Sequence, residues 1–218
     1  MAGAGSLMLR GSSEWIDGLG WRAQGSFRRA GSLETPDYVL DNTSVEELNA
    51  SGAVRYVQPR YGVTLSASRF HTRLGVFTGL VAENSNQFLE LIEQDRPLNE
   101  ELYEFDYDFD RPFQEVTHTT LKGETFIDFA EAGRLTLEVS HQNNRRQEFD
   151  QIRGNPQGPQ LDFELRTTGG ELLYEFDVQG RVFSGVGVDV AEQENVYIGR
   201  RLVPNYRSRQ AGAFGWAQ

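Results

Sequence analysis

The sequence predicts an all-β fold, an antiparallel up-and-down sheet of about nine strands patterned like the wall of a transmembrane β-barrel. Three observations predict it. Apolar and polar residues alternate with a period of two along one segment after another. The connections between those segments alternate between short and long, which gathers short turns at one end of the sheet and long loops at the other. No apolar run approaches the ~18 residues of a membrane helix, so any crossing must be made by strands.

The alternation is cleanest in the hairpin from Gln114 to Phe149. Leu135, Leu137 and Val139 share one register there and Thr136, Glu138 and Ser140 the other. In its first arm Leu121, Ile127 and Phe129 stand against Lys122, Glu124 and Asp128, with Phe126 the exception, and AEAGR joins the arms. Such a pair fits the core of a soluble sandwich as well as a membrane wall. The asymmetry of the connections favours the wall. A complete small outer-membrane barrel and a soluble carbohydrate-binding β-sandwich stay open as alternatives.

Taken in order, a first strand runs from about Ser6 to Trp15, and Asp17-Gly18-Leu19-Gly20 turns into a second, in which Trp21, Ala23, Gly25 and Phe27 alternate with Arg22, Gln24, Ser26 and Arg28. A polar connection from Gly31 to about Glu46 leads to a third, from Leu48 to Tyr56, and Gln58 to Tyr61 returns tightly to Val63, Leu65 and Ala67. A long excursion from Val76 to Pro112 follows. Phe88, Leu91 and Ile92 predict a short helix inside it, over Asn84 to Gln94.

After the central hairpin comes a Gly- and Pro-rich connection from Asp150 to Pro159. Leu161, Phe163 and Leu165 carry the apolar register of the next segment, and Leu172, Tyr174, Phe176 and Val178 carry it beyond Gly169-Gly170. That switch predicts a bulge at the glycines within one long strand. Gln179 to Arg181 turns into Val182, Val186, Val188 and Val190, and a polar connection to about Asn205 precedes a last strand through Phe214 and Trp216.

Composition narrows the function. The chain has 218 residues, of which 38% are hydrophobic, and a mean hydropathy of −0.52. That does not argue against a barrel, because spanning strands are half polar. Without cysteine there is neither a disulfide framework nor a thiolate metal site. A net charge of −11 argues against a nucleic-acid partner. The opening MAGAGSLMLRGSS lacks the basic and apolar regions of a secretory signal, so the expectation is an internal protein or a piece without its start.

Motifs for covalent chemistry are absent. Asp106, Asp108 and Asp110 are spaced like the first ligands of a calcium loop, but Arg111 stands where that loop needs glycine and Thr117 where it needs glutamate. His71, His118 and His141 lie outside any zinc spacing, and no nucleophile elbow occurs, so neither metal, cofactor nor catalytic residue is expected. His118 and His141 are assigned to the polar register. So are Arg22, Arg28, Arg55, Glu124, Glu138, Asp162, Glu164 and Asp177. Trp15, Trp21, Trp216 and Tyr56 fall near strand ends, as an interfacial aromatic girdle would. Asn42-Thr-Ser44 and Asn49-Ala-Ser51 fit glycosylation acceptors, which have no meaning in a bacterial protein.

Three stretches, TPDYVLDNTSVEELNASGAVRY (Thr35 to Tyr56), RPFQEVTHTTLK (Arg111 to Lys122) and NNRRQEFDQIRG (Asn143 to Gly154), resemble in this order the barrel of TonB-dependent outer-membrane receptors of the Bacteroidota type. The resemblance implies a segment of a 22-stranded barrel in the outer membrane of a Gram-negative bacterium, with short periplasmic turns and long extracellular loops. It also implies active import of a scarce nutrient such as an iron chelate, cobalamin or an oligosaccharide. The implied partners are outer-membrane lipid, a small nutrient ligand, and the receptor's own plug domain and the TonB complex, both outside this segment. Neither a plug, a TonB box nor a closing strand with a terminal aromatic is legible, so the expectation is an internal piece of the barrel.

The expected ligand contacts lie in the long loops. From Glu83 to Glu115 eleven acidic residues face two arginines, so this stretch carries −9 of the chain's −11. Tyr103, Asp106, Tyr107, Asp108 and Phe109 offer aromatic surface and carboxylates to a sugar or a cationic ligand, with Arg145 and Arg146 expected to face them from the next hairpin.

Overall fold

A computed structural model describes residues 1–80, 84–97, 100–108, 110–150, 157–178, 182–199 and 203–218. The strands are β1 (Ala2–Ser12), β2 (Leu19–Ala30), β3 (Leu33–Glu34), β4 (Val39–Leu40), β5 (Val45–Gln58), β6 (Tyr61–Gly75), β7 (Phe113–Asp128), β8 (Arg134–Phe149), β9 (Leu161–Val178), β10 (Val182–Gly199) and β11 (Tyr206–Ala217). One helix, α1 (Ser85–Glu93), stands in the β6–β7 excursion, where the spacing of Phe88, Leu91 and Ile92 puts it. Nine strands form one antiparallel sheet in the order β1-β2-β5-β6-β7-β8-β9-β10-β11, and β3 pairs only with β4. Each strand of the sheet lies beside its predecessor, which is the up-and-down order. β1 and β11 are the two edges, so the sheet is not closed as a barrel.

Connections 13–18, 59–60 and 129–133 lie at one end, where β9 also ends and β10 begins, and β2, β6, β8 and β10 end at the other. The expected asymmetry holds, except that β10 continues to Gly199 and shortens the last upper connection. The turn predicted at Gln179 to Arg181 lies outside the described residues. Two short turns demand glycine. Gly18 and Gly133 have φ of 83° and 114°, and a Cβ would press into the carbonyl oxygens of Val57 and Glu175.

Register is unbroken from strand to strand. There is accordingly no bulge at Gly169-Gly170: these residues pair one to one with Ser140 and Val139 on one side and Ala191 and Val190 on the other. The apolar residues of β9 therefore change sides. Leu172 and Tyr174 share the face of Leu137 and Leu135, whereas Leu161, Phe163 and Leu165 share that of Glu148, Arg146 and Asn144. Asp162 and Glu164 consequently lie on the Leu137 face and not with Glu138. His141, paired with Leu121 and Thr168, lies there as well, because residues 137, 139 and 141 share a parity.

The Leu137 face is the exposed one. Along β6, Tyr61, Val63, Leu65 and Ala67 are exposed while Gly62, Thr64 and Ser66 are buried or half-buried. Along β10, Val186, Val188 and Val190 are exposed while Gly185 and Gly187 are buried. Leu65 and Val190 keep 60% and 58% of their surface in the open, and Leu161 is the one buried hydrophobic residue among the described residues. A soluble domain buries such side chains under a second layer.

On this face the apolar residues form a band whose upper edge is oblique. The rung holding Phe27 and Leu48 in β2 and β5 carries His71, Thr117, Arg145 and Glu164 in β6 to β9. The band there ends lower, at Ala67, Leu121, Val139 and Leu172, and its foot reaches Tyr61, Ile127, Leu135 and Tyr174. Its upper edge thus steps down across the sheet, while these foot residues are direct partners on one rung, so the band narrows toward β9. Aromatics mark its foot: Tyr56 and Tyr61 are 6.1 Å apart, and Tyr174 and Phe176 stack at 5.5 Å. Trp21 belongs to this face, against Gly11. Trp216 and Phe214 do not; they lie over Gly185 and Gly187 on the opposite face.

Candidate functional site

The long-loop end is a fastened rim. The neck of the 76–112 excursion closes where Val76 N–H donates to Pro112 O at 2.9 Å. Asn42 locks it from the 41–44 connection. Its φ of 55° is in the left-handed region that Asn tolerates better than most residues, and its side chain is buried. Asn42 Nδ2 donates to Val76 O (3.0 Å) and Pro112 O (2.7 Å), and Oδ1 accepts from Asp110 N–H (3.0 Å).

Further along the excursion, the Asp106 carbonyl accepts from Ser44 Oγ at 2.6 Å and from Ser32 N–H at 2.8 Å. Phe105 lies against Gly31, where a Cβ would collide with its ring. At the other flank Arg111 donates to Asp150 O (3.2 Å), Gly158 O (3.1 Å) and Gln160 Oε1 (3.0 Å). The connections 31–44, 76–112 and 150–160 are thereby tied into one rim.

Within it, each expected contact residue takes a definite place. Tyr103 packs edge-on against Phe77 at 5.6 Å, and burial, followed by the nearby Asp41, holds its hydroxyl pKa above the ordinary 10.0. Asp106 Oδ1 accepts from the N–H groups of Tyr107 (2.6 Å) and Asp108 (3.1 Å), so its carboxylate shapes its own turn. Asp108 accepts from Arg29 at 3.1 Å. The same guanidinium stands 5.6 Å from the centre of the Tyr107 ring, which meets Phe105 edge-on at 5.2 Å. Phe109 lies outside the described residues.

Arg145 and Arg146 do not join this cluster. As consecutive residues of β8 they point to opposite faces. Arg145 forks onto Asp162 at 3.0 and 2.6 Å, and Arg146 onto Glu148 at 3.0 and 2.5 Å. The cation that meets the excursion is Arg29, with Arg96 bridging Glu100 (2.9 Å) and Asp37 (3.6 Å). Sequence reasoning missed Arg29, Ser32, Asn42 and Ser44. The signal available was the run Asp41-Asn-Thr-Ser44, whose side chains favour hydrogen bonds to nearby backbone.

The rim presents aromatic rings and a surplus of carboxylates, and in it the Thr78 hydroxyl donates to Asp41 Oδ2 at 3.1 Å. Among the described residues no three His, Asp or Glu side chains converge as metal ligands. Such a surface can attract a cation or stack on a sugar ring without covalent change. No protein-family model matches the chain, and no curated protein matches it.

Proposed function

We propose that this chain is part of the barrel wall of a TonB-dependent outer-membrane receptor, which captures a scarce nutrient at its extracellular rim and imports it without covalent chemistry. The observation that carries the reading is the uncovered apolar face. Leu65, Val54, Leu121, Val188 and Val190 lie in a continuous band and each exposes about half its surface or more. Water makes such a patch a liability, while the hydrocarbon of a bilayer solvates it. The resemblance of the segments from Thr35 to Tyr56, Arg111 to Lys122 and Asn143 to Gly154 supplies the family.

On this proposal the Leu137 face meets lipid and the Thr136 face lines the lumen. β1 and β11 are continued by further strands of the same barrel, since lipid cannot satisfy open edges. The rim of 31–44, 76–112 and 150–160 is extracellular. A soluble sandwich would need a second sheet over the Leu137 face, and the described residues form one large sheet and the short β3–β4 ladder.

The absence of cysteine allows a clean test with single-cysteine variants in intact cells. Asp95→Cys in the excursion should react with a membrane-impermeant maleimide, and Pro59→Cys in a short turn only after lysis. Equal labelling of both in intact cells would overturn the orientation. A chain that is monomeric and melts cooperatively in plain buffer would overturn the membrane reading itself.

A further inference from the structure

At the short-turn end of the Thr136 face three arginines converge without an acidic partner. Arg10 of β1 and Arg22 of β2 are directly opposite each other. Arg55 of β5, opposite Gly20, lies across that glycine toward them: a Cβ on Gly20 would stand 3.2 Å from Arg55 Nε. All three line one open recess of about 900 Å³, together with Ser12, Thr64 and Asp17.

The pairing is costly as it stands. Like charges directly opposite on neighbouring strands repel, and here a third cation reaches over the same ground. Elsewhere on this face a cation meets an acid: Arg28 has Glu47 at 3.8 Å, and Lys122 has Glu138 at 2.7 Å. Among the described residues Arg10, Arg22 and Arg55 have no ion-pair partner, in a chain of net charge −11. Asp17, at the turn, is the one acid among the lining residues.

We propose that Arg10, Arg22 and Arg55 form an oxyanion site for a phosphate group. A carboxylate offers two oxygens, which one or two guanidinium forks satisfy; three forks arriving from three strands suit the larger oxygen set of a tetrahedral phosphate. Ser12 and Thr64 add hydroxyl donors at the edge. The recess exceeds a bare phosphate, so the occupant is a phosphate carried on a larger molecule. The site follows from register alone and stands whether or not the opposite face meets lipid.

The test is calorimetric titration of the full chain, folded in detergent micelles, with inorganic phosphate and separately with acetate. Phosphate should bind saturably, with one ion per chain, more tightly than acetate and more weakly as salt is added. Arg22→Gln and Arg55→Gln should each weaken it by tenfold or more, and Arg22→Lys, which keeps the charge and loses the fork, by less. Arg209→Gln, on the other face and paired with Glu192, should leave it unchanged. Absence of saturable binding in a folded chain overturns the site. Equal affinity for acetate, or equal loss in Arg209→Gln, reduces it to general charge attraction and overturns it too. None of these outcomes bears on the membrane reading.

Discussion

The two halves of β9 carry the same apolar alternation and place it on opposite sides of the sheet. In the half near the short turns, Leu172 and Tyr174 point to the Leu137 face, where Leu172 is 39% exposed. In the half near the long loops, Leu161, Phe163 and Leu165 point the other way, and Leu161 is only 6% exposed. On the Leu137 face of that upper half stand Asp162, Glu164 and Arg166, joined to Arg145 and to one another. One face of one strand thus passes from bare hydrocarbon to ion pairs within its own length. The change fits a strand that leaves a bilayer for water, where sheltered apolar contacts must come from the inner side.

The sharpest way to break this comparison is to put a charge at both levels of the Leu137 face. On the proposed membrane reading, Leu137→Arg should cost about 2–4 kcal/mol near the bilayer midplane, in the whole barrel folded into lipid vesicles. Asn143→Arg, on the same face of β8 above the band, should cost less than about 1 kcal/mol, and Thr136→Arg on the opposite face should also cost far less. Denaturant titration measures all three. Equal penalties at 137 and 143 would mean that the two halves meet the same solvent.

The next effect tests whether the rim is as firmly fixed as the sheet below it. Asn42→Ala removes three hydrogen bonds, leaves two carbonyls and an N–H without that partner, and puts alanine at a φ of 55°. Local opening of the 76–112 excursion should become easier by about 1–3 kcal/mol. Amide exchange should then rise in the described parts of the excursion and stay unchanged in β8. Unchanged exchange in the excursion would show that Asn42 is not its lock.

What could be read from the sequence divides along the same line. Period two located the nine strands and the loop asymmetry, because strand, turn and helix signals are local. It could not say which side of a strand is covered. The glycines at 169 and 170 looked like a bulge only because a single apolar face was assumed for the whole length of β9. Trp216 was expected in the aromatic girdle and lies on the opposite face for a related reason: facing Gly185 is a fact of pairing with β10, invisible in β11 alone. The rim was least legible. Arg29 reaches Asp108 across 79 residues of chain, whereas the pair proposed from sequence, Arg145 and Arg146, are neighbours that point apart.

A smaller effect concerns the ion pairs of the upper half. The Arg145 side chain is 54% exposed and that of Asp162 only 10%, so solvent screens the guanidinium end of this bidentate pair and not the carboxylate. Arg145→Ala leaves the Asp162 carboxylate with Gln147 as its side-chain donor and should cost about 1–2 kcal/mol, below Leu137→Arg in the same strand. A loss comparable to that of Leu137→Arg would indicate that the upper half is not water-exposed.

The smallest expected effect is at Tyr103, in the excursion and outside the nine-stranded sheet. Burial is the main reason its hydroxyl pKa lies above 10.0, with Asp41 the next cause. A raised pKa means that the folded rim favours the neutral phenol, so an unfolded rim loses its proton first as pH rises. The stabilisation is therefore complete below the ordinary phenol value and is lost as pH climbs from there through the folded value. Because Tyr103 is only half-buried, the change should be slight and confined to the rim. The ultraviolet absorbance of ionised tyrosine, taken as the difference between the parent chain and Tyr103→Phe, should titrate above pH 10. A Tyr103 that titrates below that value would mean that its ring is not held between Phe77 and the acidic connection, and that this flank of the rim is open.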